Sequence, residues 1–252
     1  MGSVTVSGGY VRRAVLDRDG VPSFEAYPFA LPVVRGLVEL ELHPRVTFLV
    51  GENGSGKSTL LEAIATAWGF NPEGGTRNFN FSTRGSHSEL HEYLRLVKAV
   101  HKPRDGFFLR AESFFNVATN IEDMDREPAS APPLIDSYGG VSLHEQSHGE
   151  SFFSLMLHRF GGDGLYVLDE PEAALSPSRQ LAMIARMHEL VRARSQFLIA
   201  THSPILMAYP DAWIYQIGED GFERVEYEDT EHYRVTRSFL ENPGKYLDEL
   251  LD

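Results

Sequence analysis

The sequence predicts an α/β fold with a mostly parallel core sheet, on three observations. A continuous apolar run at residues 46–50 enters a glycine-rich turn and then a helical stretch at 57–68. Further apolar runs at 165–168 and 197–201 have the length of buried strands. Helical patterns at 149–160 and from Ser176 to about Ala193 are interleaved with them, and strands alternating with helices argue for parallel pairing.

Taken in order, residues 1–50 are expected to form strands, in part antiparallel. Residues 11–16 lead to a turn at Asp19 and Gly20, a strong hairpin signal. Residues 37–42 alternate as L-V-E-L-E-L, with Glu39 and Glu41 on one face. The run 46–50 does not alternate, so it should be central and covered on both faces. Residues 71–85 are rich in Gly, Asn and Ser and predict a loop. Leu90, Leu94 and Val97 fall at helical spacing and predict a helix over 87–101, opening a short helical subdomain at about 86–150. A short strand follows at 107–111, and 121–133 predicts a surface loop. Ser176 followed by Pro177 is a helix-start signal, hydroxyl cap and then proline. The tail predicts a hairpin, 213–217 and 222–227 around Gly221, then helices at 231–240 and 243–251.

Bulk properties fit a single globular domain. The chain has 252 residues, 42% hydrophobic and 23% charged. It has no cysteine, which excludes disulfides and thiolate metal sites. No basic-then-apolar leader opens it, and no apolar run approaches the roughly 20 residues of a membrane span. A cytoplasmic protein without membrane insertion of its own is expected. The net charge of −13 argues against nucleic-acid binding by bulk charge, although a local basic stripe is compatible with it.

The sharpest chemical signal is Gly51, Glu52, Asn53, Gly54, Ser55, Gly56, Lys57 and Ser58, which fit G-x-x-x-x-G-K-[ST] in full. The motif lies between an apolar strand and a helix, as its chemistry requires. Glycines let successive backbone N–H groups face a phosphate, and the helix N-terminus adds partial positive charge. Lys57 can reach the β and γ phosphates, and the Ser58 hydroxyl can ligate magnesium. Glu52, Asn53, Gly54, Ser55, Gly56, Lys57, Ser58 and Thr59 are therefore the ATP-binding candidates. Downstream, the apolar run 165–168 ends in Asp169 and Glu170, at the carboxyl edge where α/β sheets bind ligands. Asp169 can hold magnesium, and Glu170 can orient and deprotonate water. On its own this pair could be a solvated strand end; after a phosphate loop the functional reading is favoured.

Asp169, Glu170 and Pro171 resemble the Walker B end of ABC-type ATPases, and Ala174, Leu175 and Ser176 sit where that family's D-loop follows. His202 ends the next apolar strand and matches the family's switch histidine, which contacts the γ-phosphate. Ser147, His148, Gly149 and Glu150 resemble the signature L-S-G-G-Q, with Gln146, His148 and Glu150 replacing Leu, the first Gly and Gln. The resemblance spans about residues 40–209 and implies a P-loop NTPase fold with an ABC-type head. It further implies magnesium-dependent ATP hydrolysis, with Lys57, Glu170 and His202 as catalytic residues and Ser58 and Asp169 at the metal. It implies a head-to-tail homodimer on ATP binding, in which the signature completes the partner's site. Ser176 stands where the family has Asp. Glu112 is the positional candidate for the Q-loop metal contact, where the family has Gln. Tyr27 or Phe29 is the candidate for stacking on adenine. The stretch between Lys57 and Ser147 is too short for a coiled-coil insertion. The chain thus resembles most the small stand-alone predicted bacterial ATPases of that superfamily.

Other functions stay open at this point. The chain could be the ATP-binding subunit of a membrane transporter, or an ATP-gated clamp on nucleic acid or a protein partner. His144, Glu145 and His148 fit H-E-x-x-H, the helical zinc-peptidase motif, but Gly149 interrupts the helix it needs. His87 and His91 share helical spacing beside Glu92, which a surface helix explains. Arg179, Arg186, Arg192 and Arg194 form no tight stripe and predict a solvated face.

Overall fold

The computed structural model describes residues 8–76, 88–111, 119, 140 and 148–251. Its centre is a six-stranded sheet in the order β5-β6-β7-β3-β8-β9. The strands are β3 (Val46–Gly51), β5 (Asp105–Arg110), β6 (Gly164–Asp169), β7 (Gln196–Ala200), β8 (Trp213–Gly218) and β9 (Gly221–Val225). The first five run parallel, and β9 closes one edge as the antiparallel arm of a hairpin with β8. This is the mostly parallel α/β sheet that the sequence predicts, with β3 central.

Period-2 alternation along these strands divides the core between two faces. Val46, Phe48 and Val50 of β3 join Tyr166 and Leu168 of β6 on one face. That face packs on α3 (His148–Ser154), on the π turn Leu155–Arg159 and on α4 (Pro177–Arg192) through Phe152, Met156, Met183 and Met187. Leu49, Val167 and Leu198 face the other way, onto α2 (Lys57–Trp68) and a second sheet. Both faces of β3 are apolar because both are covered.

The second sheet is antiparallel, in the order β2-β1-β4, with β1 (Val11–Leu16), β2 (Glu39–Glu41) and β4 (Leu94–Lys98). Leu40 is buried while Glu39 and Glu41 face out, as the alternation of that segment predicts. Gln196 joins the two sheets. Its Oε1 accepts from the N–H of Tyr10 and Val11 at 2.7 and 3.0 Å, and its Nε2 donates to the carbonyls of Val11 and His43.

Three expectations are corrected. Residues 87–101 are not a helix: Glu89–Tyr93 is a 3₁₀ turn and Leu94–Lys98 is β4, paired along β1. Leu94 and Leu96 satisfy period 2 as well as Leu90 and Leu94 satisfy period 4, and the open edge of β1 decides between them. The helical subdomain expected at about 86–150 therefore loses its first element; residues 86–87, 112–118, 120–139 and 141–147 of that stretch, with the loop expected at 121–133, lie outside the described residues. At Asp19 and Gly20 a turn forms, with Gly20 N–H donating to the Asp17 carbonyl at 3.2 Å, but no hairpin does. The chain instead runs through α1 (Pro32–Arg35) before returning as β2, which pairs with β1.

The helix expected at 149–160 divides into α3 and the π turn. Arg186 of α4 bonds the carbonyls of Met156, Leu157 and Phe160, taking up acceptors that a helix end leaves open. After β9 come a short 3₁₀ turn (Tyr227–Asp229) and two helices, α6 (Glu231–Glu241) and α7 (Pro243–Leu251). A four-residue helix α5 (Pro204–Met207) follows β7. Among the described residues no helix is long and apolar enough to cross a membrane.

Candidate functional site

The site forms where β3, β6 and β7 end. Between β3 and α2 the chain turns through residues 52–56, and Gly56 takes φ +94, at the helix cap. A Cβ there would lie 2.7 Å from Val33 Cγ1, so glycine alone lets the loop settle against α1. Lys57 is buried, and its ammonium donates to the carbonyls of Gly51 and Glu52, both at 2.9 Å. Burial lowers its pKa, and the carboxylates of Glu170, Asp169, Glu172 and Glu52 act in the opposite direction. The ammonium thus stands in an acidic neighbourhood, where a phosphate group can compete for it.

β7 separates β3 from β6, yet the two strand ends meet. The Ser58 hydroxyl donates to Asp169 Oδ1 at 2.9 Å. Behind them Arg110, at the end of β5 and in register with Asp169, pairs with Glu62 at 2.7 Å and lies 3.9 Å from Asp169 Oδ2. Ser58 and Asp169 offer the hard oxygen donors that magnesium takes, so the donor set fits that ion. Among the described residues no group of three or more His, Asp or Glu is placed to hold a metal without help. An ion that keeps several waters and substrate oxygens, as magnesium does, needs only one or two protein ligands.

Glu170, the next residue, takes φ 50 and ψ 51, a left-handed conformation that a non-glycine residue adopts at a cost of roughly 1–3 kcal/mol. Its Oε1 lies 3.6 Å from His202 Nε2, beyond hydrogen-bond range. The backbone N–H of His202 donates to Glu172 Oε1 at 2.6 Å, which fixes the end of β7 to the turn Pro171–Ala174. Burial raises the Glu172 pKa, against the bond from His202. Among the described residues Ser55 Oγ, Glu172 Oε2 and His202 Nε2 are buried without a hydrogen-bond partner. Each such atom costs about 1–3 kcal/mol. Two of them, the Ser55 hydroxyl in the loop and His202 Nε2 at the end of β7, can donate to a phosphate-bearing ligand.

α3 opens with His148, Gly149 and Glu150, from the stretch that resembles the signature. A Cβ on Gly149 would lie 2.5 Å from the Ala174 carbonyl oxygen, so glycine lets α3 press against the turn after β6. Glu150 is exposed and pairs with Arg179 at 3.3 Å. Only the backbone of His148 is described, and Ser147 lies outside the described residues, as do Glu112, His87, His144 and Glu145. The H-E-x-x-H motif and the Q-loop position are therefore not placed. His91 Nδ1 meets the Ser88 carbonyl at 3.0 Å within its own turn. The arginines of α4 and of the turn after it are accounted for structurally, with Arg194 on Asp163 at 2.8 Å, Arg186 on the π turn and Arg192 exposed.

Phe29 is corrected as an adenine-stacking candidate. Its ring is 1% exposed and packs edge-to-face on Tyr93 at 5.1 Å, so neither face can receive a base. Tyr27, two residues earlier, is 65% exposed. Sequence reasoning missed Arg110, Glu172 and His232. Arg110 carries a legible signal, since a cation ending the strand next to β6 must face Asp169. His232 carries none, because only the path of the tail brings it to His202.

A family described as "AAA domain" matches residues 28–116, and one described as "AAA domain, putative AbiEii toxin, Type IV TA system" matches residues 118–208. No curated protein matches the chain. Among solved structures it is similar to an SMC head domain from Thermotoga maritima, at 18% identity over 86% of this chain and 99% of that one, TM-score 0.47. It is similar to a nucleotide-free ATP-binding cassette from an ABC transporter, at 17% identity over 83% and 91%, TM-score 0.47. It is also similar to cbiO1 from Clostridium perfringens, part of the ABC transporter complex cbiONQ, at 17% identity over 85% and 91%, TM-score 0.45. The two AAA-domain matches fall on the two halves of the site, the first on the phosphate loop and the second on the acidic end of β6, which meet at one sheet edge.

Proposed function

We propose that the chain is a single-domain, magnesium-dependent ATPase that works as a head-to-tail dimer in the cytoplasm. The observation that carries this reading is the Ser58–Asp169 bond beside a buried, carbonyl-bound Lys57. Glycine-loop amides and Lys57 would hold the β and γ phosphates, Lys57 exchanging its two carbonyls for phosphate oxygens. Ser58 and Asp169 would hold magnesium, which neutralises charge on those oxygens. Glu170 would orient the attacking water and take its proton as the water oxygen bonds to the γ phosphorus and the bond to the β-phosphate oxygen breaks. His202 would donate to a γ-phosphate oxygen. Arg110 would hold the Asp169 carboxylate in position. Tyr27 is the remaining candidate for adenine, and Glu112 for the Q-loop contact. Ser147, His148, Gly149 and Glu150 would act on the partner's nucleotide.

The test is nucleotide titration beside phosphate release with magnesium and ATP. The wild type should bind and turn over ATP, and Lys57→Ala should lose most of the binding, because the positive charge aimed at the phosphates is gone. Wild-type affinity in Lys57→Ala overturns the reading.

A further inference from the structure

We infer that His232 is a positioning residue for His202: its Nε2–H donates to His202 Nδ1 and fixes the His202 proton on Nε2, toward the γ-phosphate. The inference rests on the ATPase reading above for the role of His202. The two rings are tilted to one another, with His202 Nδ1 3.0 Å from His232 Nε2, centroids 5.2 Å apart and planes inclined at 56°. At that distance one nitrogen donates and the other accepts.

The surroundings choose the direction. His232 Nδ1 and His202 Nε2 are both buried without a hydrogen-bond partner among the described residues. If His202 donated, His232 would carry its proton on Nδ1, a buried orphan donor. His202 would then present a bare lone pair to Glu170 and to any phosphate. With His232 donating, the orphan at His232 is an unprotonated nitrogen, and His202 presents N–H to the anionic side. Each arrangement leaves one buried N–H unpaired, and the Glu170 carboxylate, with Oε1 3.6 Å from His202 Nε2, favours the second, which puts that N–H beside an anion. Burial and the Lys57 ammonium lower the pKa of both imidazoles, against Glu170 at His202 and against Glu231 and Glu52 at His232, so a neutral pair is favoured.

The backbone that carries His232 is held from several sides. Thr230 caps α6, its Oγ1 accepting from Tyr233 N–H at 3.3 Å and donating to the Tyr227 carbonyl at 2.8 Å. Tyr227 donates from its hydroxyl to the Pro204 carbonyl at 3.0 Å, and Glu231 N–H donates to Gln216 Oε1 at 3.0 Å. The start of α6 is thereby tied to α5 and β8, and the donor reaches His202 already oriented. A second group that sets tautomer and ring angle in this way is typically worth 10–100-fold in activity.

The test uses the full chain as His232→Ala and His232→Gln, each alone and with His202→Ala. Turnover, ATP affinity and the ¹⁵N shifts of the His202 ring are measured. His232→Ala should lower kcat about tenfold or more while ATP affinity stays within about twofold. His232→Gln, whose amide N–H can reach the same nitrogen, should restore most of the rate. On His202→Ala the further loss should vanish. The His202 shifts should report Nε2–H in the wild type and a tautomer mixture in His232→Ala. Wild-type kcat in His232→Ala, an equal fold-loss on His202→Ala, a Gln variant no better than Ala, or an Nδ1–H tautomer in the wild type overturns the inference. A wild type that does not hydrolyse ATP at all sinks the ATPase reading, and the ring shifts still decide the histidine pair.

Discussion

Ser58 and Asp169 lie on different elements, α2 and β6, and are joined by one 2.9 Å bond from hydroxyl to carboxylate. That bond brings two hard oxygens to the end of the phosphate loop, and in the proposed function both turn to magnesium. Asp169→Asn keeps the shape and removes the charge that draws the ion. The magnesium concentration for half-maximal turnover should rise at least about tenfold. ATP binding without metal should change little, since Lys57 is untouched. Magnesium titration of phosphate release checks this, and an unchanged midpoint removes Asp169 from the metal.

Glu170 sits in a left-handed conformation directly after Asp169. Glu170→Gln preserves side-chain shape and hydrogen bonding but cannot take a proton from water. ATP affinity should persist while kcat falls about 10²–10⁴-fold, the usual worth of general-base help. Single-turnover phosphate release beside equilibrium binding separates the two. Wild-type turnover excludes Glu170 as the base.

His43 makes stability depend on pH. It is 5% exposed, lies against Trp213 at 5.1 Å, and its Nδ1 accepts from the N–H groups of Arg45 and Val46, both at 3.2 Å. Burial first, then Arg45 and Arg224, lower its pKa to about 4, with Asp211 opposing. The folded value lies below the unfolded value of 6.5, so the folded chain binds fewer protons. The contribution is fully present above pH 6.5 and is lost as pH falls toward 4. At about 1.4 kcal/mol per pH unit the interval is worth on the order of 3 kcal/mol. His43→Asn, whose Oδ1 can accept the same bonds, should flatten this component. Urea unfolding at pH 7, 5.5 and 4 measures the difference, and parallel losses in both proteins defeat the assignment.

The parts of the fold legible in the sequence are those in which consecutive residues carry the whole signal. β3, its loop and α2 were legible because strand, glycines and Lys57 are contiguous, and β6 because its apolar run ends in two acids. The Ser176 cap was legible for the same reason, and its hydroxyl accepts from Arg179 N–H at 3.4 Å. β4 was not, because Leu90, Leu94 and Val97 satisfy a helical period until β1 offers an edge. Phe29 looked available because its burial is set by Tyr93 and not by its neighbours in sequence. Glu172 and His232 reach His202 only through the topology that places the turn after β6 and the tail beside the end of β7.

The last prediction separates a shared site from a monomeric one. Two chains that each carry a net charge of −13 repel, and a nucleotide held between them must supply the attraction. Gly149, in the first turn of α3, lies against the turn after β6, and in the shared-site reading Ser147 and Gly149 turn to the partner's γ-phosphate. Glu170→Gln with ATP should then run as a dimer by light scattering, and with ADP as a monomer. Activity per chain should fall on dilution. Ser147→Arg and Lys57→Ala should each be inactive alone, yet their mixture should recover part of the activity. In the mixed dimer, one composite site joins the intact phosphate loop of the first variant to the intact signature of the second. Constant activity per chain on dilution together with no rescue on mixing leaves a monomeric ATPase, with the signature residues serving only to seat α3.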